Sequence, residues 1–160
     1  MKTCKSFLVL VGLVCIPLWA VQAQQKYALV IGNNEYPASI GSLRNPVTDA
    51  TAVSNKLRAL GYRVDLKTNL NLRQMSEAVE QYRRSLSGNT ANEGFFWYAG
   101  HGVQIDGLNY LIPLNADPAS KSSLKFSSYP ADQLLATLEE AGNTVNVVVL
   151  DACRNTPQLA

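Results

Sequence analysis

Three short stretches of this sequence, residues 27–31, 94–99 and 145–150, are apolar at almost every position, and segments of helical periodicity lie between them. A strand with one wet face alternates apolar and polar residues, so near-continuous apolar runs mark strands buried on both faces. Such strands joined by helices predict an α/β fold with a mainly parallel sheet, right-handed crossovers and helices on both sides. In a sheet of that kind functional groups gather at the carboxyl ends of the strands.

The intervening segments agree with this plan. Asn45 stands at an N-cap position with Pro46 as the first helical residue, and Ala50, Val53, Leu57 and Leu60 recur at helical spacing until Gly61 ends the helix. Residues 62–66 alternate as a second strand. Leu72, Met75, Val79, Tyr82 and Leu86 trace the apolar stripe of a second helix, whose solvated face carries Arg73, Glu77, Glu80, Arg83 and Arg84. The first strand ends at Gly32-Asn33-Asn34 and the third at Gly100-His101-Gly102, after which residues 103–105 and 109–112 predict a hairpin turning on Asp106-Gly107. Residues 115–128 read as a polar connection. Leu134, Leu135 and Leu138 mark a third helix, and the run 145–150 is expected as a fourth buried strand leading into Asp151-Ala152-Cys153-Arg154.

The first 23 residues stand apart from this pattern. Lys2 and Lys5 precede an apolar run from residue 6 to residue 20, and Val21-Gln22-Ala23 places small residues at the cleavage positions, the plan of a secretory signal peptide. The run is short against the about 20 residues that cross a bilayer, and Cys15 behind Gly12-Leu13-Val14 is a poor lipid-attachment site. The expected organisation is therefore a signal peptide over 1–23 and one globular domain over 24–160. The protein would be exported, to the periplasm in a Gram-negative source, with no stable membrane association after cleavage.

Of 14 basic and 12 acidic residues, cleavage removes Lys2 and Lys5 and leaves the two balanced, so the basic footprint of a nucleic-acid binder is missing. Cys4 and Cys15 leave with the same segment. Cys153 then remains as the lone thiol of an exported chain, which allows a buried inert side chain, an intermolecular bridge or a reactive nucleophile.

Its surroundings favour reactivity. His101 follows the third strand and Cys153 the fourth, so neighbouring strands would bring both to one sheet edge. A thiol is mostly protonated at neutral pH, and an adjacent imidazole supplies the base that makes the thiolate. His101 is the single histidine of the sequence, and glycines on both sides leave it on a tight turn with open backbone around it. Cys153 follows His101 by 52 positions, close to the about 50 that separate the pair in the caspase signature.

Tyr27-Ala28-Leu29-Val30-Ile31-Gly32-Asn33, Tyr98-Ala99-Gly100-His101-Gly102 and Val148-Val149-Leu150-Asp151-Ala152-Cys153-Arg154-Asn155 resemble the bacterial caspase-like cysteine peptidases, relatives of metacaspases and orthocaspases. The likeness covers nearly all of residues 26–157. It implies the three-layer αβα caspase-hemoglobinase fold, a peptide or protein substrate, His101 as general base and Cys153 as nucleophile. It also implies an oxyanion hole made by the backbone N–H groups of Gly102 and Cys153. Within this group, Asp-specific enzymes differ from Arg/Lys-specific ones in pocket charge. Asp151 stands where metacaspases carry Asp, and Asn45-Pro46-Val47-Thr48-Asp49-Ala50 resembles the metacaspase segment whose Asp lines the P1 pocket, so Asp49 and Asp151 imply cleavage after Arg or Lys. Helix-dipole stabilisation is the simpler role for Asp49, and backbone bonding at a strand end is the simpler role for Asp151. Arg44 permits an Asp-specific pocket, although the alignment through Asp49 puts Leu43 at the caspase arginine position.

Family members continue beyond the nucleophile with further strands, whereas this sequence ends at Ala160, so the sheet is expected to stop at the nucleophile strand. An unpaired edge there would take a complementing chain or a second copy, and a catalytically incomplete binding module is the alternative to a peptidase. Lys121 and Lys125 in the polar connection are candidate activating cleavage points. No cofactor is expected: Gly32-Asn33-Asn34-Glu35 lacks a phosphate-binding glycine pattern, one Cys and one His do not make a structural zinc site, and no calcium-loop spacing is present.

Overall fold

The computed structural model describes residues 23–152. The expected signal peptide, apart from its last residue, and the nucleophile candidate Cys153 lie outside the described residues. In chain order the elements are β1 (Lys26–Gly32), α1 (Pro46–Ala59), β2 (Arg63–Thr68), α2 (Leu72–Leu86), β3 (Glu93–Ala99), β4 (Gly102–Ile105), β5 (Leu108–Leu111), α3 (Lys121–Phe126), β6 (Tyr129–Pro130), α4 (Ala131–Glu140) and β7 (Val145–Asp151).

Four strands make a wholly parallel sheet in the order β2-β1-β3-β7. Alternate residues of β1 and β3 point to opposite faces, and each face has its own helical cover. Leu29, Ile31, Phe96 and Tyr98 pack with Met75, Val79, Tyr82 and Leu86 of α2 and with Leu134 and Leu138 of α4. Ala28, Val30, Trp97 and Ala99 pack with Ala50 and Leu57 of α1. This is the αβα layering expected from continuous apolar strands.

α2 begins on a capping box, with the Asn71 side chain accepting from the Gln74 N–H and the Gln74 side chain accepting from the Asn71 N–H. α1 starts with Asn45 at the expected position, but its side chain makes no capping bond; Pro46 at the first helical position removes one donor that a cap would otherwise serve. Leu60, expected on the buried stripe, is exposed, and Ser54 is buried instead.

The hairpin turns as expected, with Asp106 at φ 52 and Gly107 at φ 81, the two positive angles of a primed two-residue turn. Beside it β6 adds a third strand, giving a small β4-β5-β6 sheet. Two expectations are corrected. The polar connection 115–128 contains α3, seeded by Ser120, whose side chain accepts from the Ser123 N–H, and anchored by buried Leu124. Lys121 and Lys125 are therefore helical, and Lys125 pairs with Asp106 at 3.2 Å. β7 is not buried on both faces: it is an edge strand among the described residues, and Val145, Val147, Val149 and Leu150 are exposed. Val148 and Ala152 pack on the α2–α4 side, while the valines of the other face have no helix over them because α1 covers β2, β1 and β3 and stops short of β7.

Candidate active site

β3 and β7 run side by side in register, Ala99 opposite Asp151. His101 lies two positions beyond Ala99 along the chain, and Cys153 two positions beyond Asp151. Parallel pairing thus sets the carboxyl ends of β3 and β7, the strands that precede His101 and Cys153 in the sequence, side by side.

Beyond β3 the chain is held tightly. The His101 N–H donates to the Tyr36 hydroxyl at 3.0 Å, and the His101 carbonyl accepts from the Ile112 N–H at 3.0 Å and from the Tyr98 hydroxyl at 2.9 Å. The half-buried imidazole meets the Tyr36 ring edge-on, with centroids 4.6 Å apart. Its Nε2 lies 2.8 Å from the Gly41 carbonyl oxygen. A carbonyl oxygen only accepts, so Nε2 carries the proton in this arrangement and Nδ1 is left as the basic nitrogen. Gly41 presents that carbonyl from a backbone at φ 93, left-handed territory that favours glycine.

Gly102 opens β4 opposite Leu111. The Ile112 N–H to His101 carbonyl bond marks the adjacent pair as the hydrogen-bonded one. By antiparallel alternation the Gly102 N–H therefore points away from β5, outside the hairpin ladder.

Asp49 and Asp151 come together although 102 positions separate them in sequence. Both line a cavity of about 370 Å³ with Leu43, Arg44, Pro46 and Gly100. Asp49 is carried by the first turn of α1 and Asp151 by the last residue of β7, and both side chains are exposed to solvent. Ala152 borders this cavity and also a smaller one of about 90 Å³, formed with Gly102, Tyr110, Leu111 and Leu150 on the hairpin side. The residue before the candidate nucleophile thus separates an acid-bearing cavity from a mainly apolar one.

Sequence reasoning missed Tyr36, Tyr98 and Gly41. Tyr98 was indistinguishable from its apolar neighbours in the strand, and Tyr36 and Gly41 belong to a loop with no periodicity. Burial holds both hydroxyls in the neutral form: it raises the Tyr36 pKa, against smaller lowering by hydrogen bonds, and drives that of Tyr98 well above the ordinary phenol range.

A parallel αβα sheet with a histidine beyond one central strand and a lined cavity at the same edge defines an α/β domain whose candidate site lies at the carboxyl ends of the strands. The chain belongs to the caspase domain family of peptidases, whose sequence model matches residues 25–159. It is 30% identical over 132 residues to mucosa-associated lymphoid tissue lymphoma translocation protein 1 of Homo sapiens, and equally to the homolog in Mus musculus. These matches cover 82% of this chain and 15% of each relative, so the chain spans only a small part of the curated proteins it resembles. The crystal structure of protein GSU0716 from Geobacter sulfurreducens has the same fold, with a TM-score of 0.62 at 20% identity over 81% of this chain and 50% of that one.

Proposed function

We propose that this domain is a cysteine endopeptidase that cleaves after Arg or Lys, with His101 and Cys153 as its dyad. The observation that supports the reading is the register of β3 with β7, whose carboxyl ends lie side by side next to the cavity lined by Asp49 and Asp151. Nδ1 of His101 takes the proton of the Cys153 thiol, and the thiolate attacks the scissile carbonyl carbon. The Gly102 and Cys153 N–H groups receive the oxyanion as the tetrahedral intermediate forms. The imidazolium then gives its proton to the leaving amine, and water, deprotonated by the same nitrogen, hydrolyses the thioester. Asp49 and Asp151 supply negative charge for a cationic P1 side chain.

The test is turnover of two fluorogenic peptides, one ending in Arg and one in Asp, by the purified protein and by its Cys153→Ala and His101→Ala variants. Cleavage of the Arg peptide that disappears in both variants is the expected result. Cleavage of the Asp peptide alone would overturn the pocket assignment. Absence of turnover by folded protein would favour a binding domain, a reading to which the exposed apolar edge of β7 lends support.

A further inference from the structure

We propose that Tyr36 and Tyr98 form a hydroxyl clamp that positions the His101 imidazole, the clamp acting through the histidine backbone. The catalytic part of this inference rests on the reading of His101 as the general base; the positional part stands on geometry alone.

Three protons and three acceptors close the network. The His101 N–H donates to Tyr36 Oη at 3.0 Å, the Tyr36 hydroxyl donates to the Ile112 carbonyl at 3.0 Å, and the Tyr98 hydroxyl donates to the His101 carbonyl at 2.9 Å. The two hydroxyl oxygens are 3.2 Å apart, and Tyr98 Oη is also 3.0 Å from the Ile112 carbonyl oxygen. Were the hairpin to continue regularly, His101 and Ile112 would exchange both of their backbone bonds. Only the bond from the Ile112 N–H is direct; the reciprocal one runs through the Tyr36 hydroxyl. Tyr36 is thus a wedge one oxygen wide, which opens the hairpin at the residue whose ring must reach the Gly41 carbonyl.

Tyr36 acts twice, since its hydroxyl holds the His101 backbone while its ring edge packs on the imidazole. Tyr98 projects from β3, the strand that leads into His101, with its ring fully buried. Gly100 between them makes the meeting possible: a methyl there would lie 2.5 Å from Tyr98 Oη and 2.6 Å from Tyr36 Oη. Phenylalanine at either position would fill the same core without desolvating a hydroxyl. The polar pair is instead fully satisfied, and a satisfied buried network selects one arrangement of the chain it binds.

The single histidine makes the test direct, because ¹⁵N-histidine labelling yields one imidazole. The wild-type protein is expected to show one Nε2–H tautomer at neutral pH. Tyr36→Phe and Tyr98→Phe are expected to give mixed tautomers, with kcat on the Arg peptide lowered about tenfold or more and KM within about twofold. Gly100→Ala, which crowds both hydroxyls and removes neither, is expected to give the same imidazole signature. A wild-type tautomer in folded Tyr36→Phe or Tyr98→Phe protein would overturn the clamp. Should the wild type lack turnover that depends on Cys153, the catalytic reading fails by itself, and the imidazole spectra still decide whether the tyrosines hold the ring.

Discussion

Removing one negative charge from the Asp49–Asp151 cavity should weaken turnover of a basic substrate by an amount set by how wet the cavity is. Two unit charges about 4 Å apart interact by about 4 kcal/mol at an effective dielectric of 20 and by about 1 kcal/mol in bulk water. Both carboxylates are solvent-exposed and the cavity is open to solvent, with Arg44 on its wall offsetting part of the field. The low end therefore applies, about 1–2 kcal/mol for each acid, or roughly a 5- to 30-fold loss in kcat/KM. The perturbation is Asp49→Asn and Asp151→Asn, singly and together, assayed on peptides that differ only in Arg, citrulline or Asp at P1. Citrulline keeps the shape of Arg without its charge, so its turnover should change less than about twofold in the variants. Raising salt from about 0.05 to 0.5 M should shrink the Arg preference of the wild type, because exposed charges are screened over a Debye length. Arg and citrulline peptides losing equally would refute the electrostatic reasoning, and so would an Arg loss below twofold in the double variant.

Leu134 is fully buried between α4 and the face of the sheet covered by α2. Leu134→Ala should cost about 2–5 kcal/mol of unfolding free energy, read as a lowered midpoint in urea at unchanged slope. Glu80 accepts from Arg83 and Arg84, and these bonds hold its pKa at about 2. A carboxylate with a depressed folded pKa contributes stability that is present above its unfolded value and is lost as pH falls through the folded one. Glu80→Gln should therefore flatten the fall in thermal stability between about pH 4.5 and pH 2 while leaving its shape near neutrality; an identical acid profile would show that solvent screens the pair completely.

The depth to which each feature could be read depended on how local its cause is. α2 was legible from the helical spacing of Leu72, Met75, Val79, Tyr82 and Leu86, whereas its Asn71–Gln74 capping box, although contained within four residues, was seen only in the structure. The hairpin was legible from Asp106-Gly107 alone, since few residues tolerate two successive positive φ angles. α3 was missed because six residues with one buried leucine carry too little periodicity to separate from a polar loop. The exposure of β7 was missed because an apolar strand looks the same in sequence whether or not a neighbour covers its second face.

The same division runs through the site. His101 and Cys153 stood out from residue chemistry and spacing, and the runs around them specified a parallel sheet, because the periodicity of burial is written into consecutive residues. That β7 lies beside β3 rather than elsewhere in the sheet and that Tyr36 wedges between His101 and Ile112 were decided only by the tertiary structure, and the cavity shared by Asp49 and Asp151, implied beforehand only by family resemblance, became visible there too. Each joins residues far apart in the chain, and a contact of that kind depends on packing between whole elements, which no local pattern records.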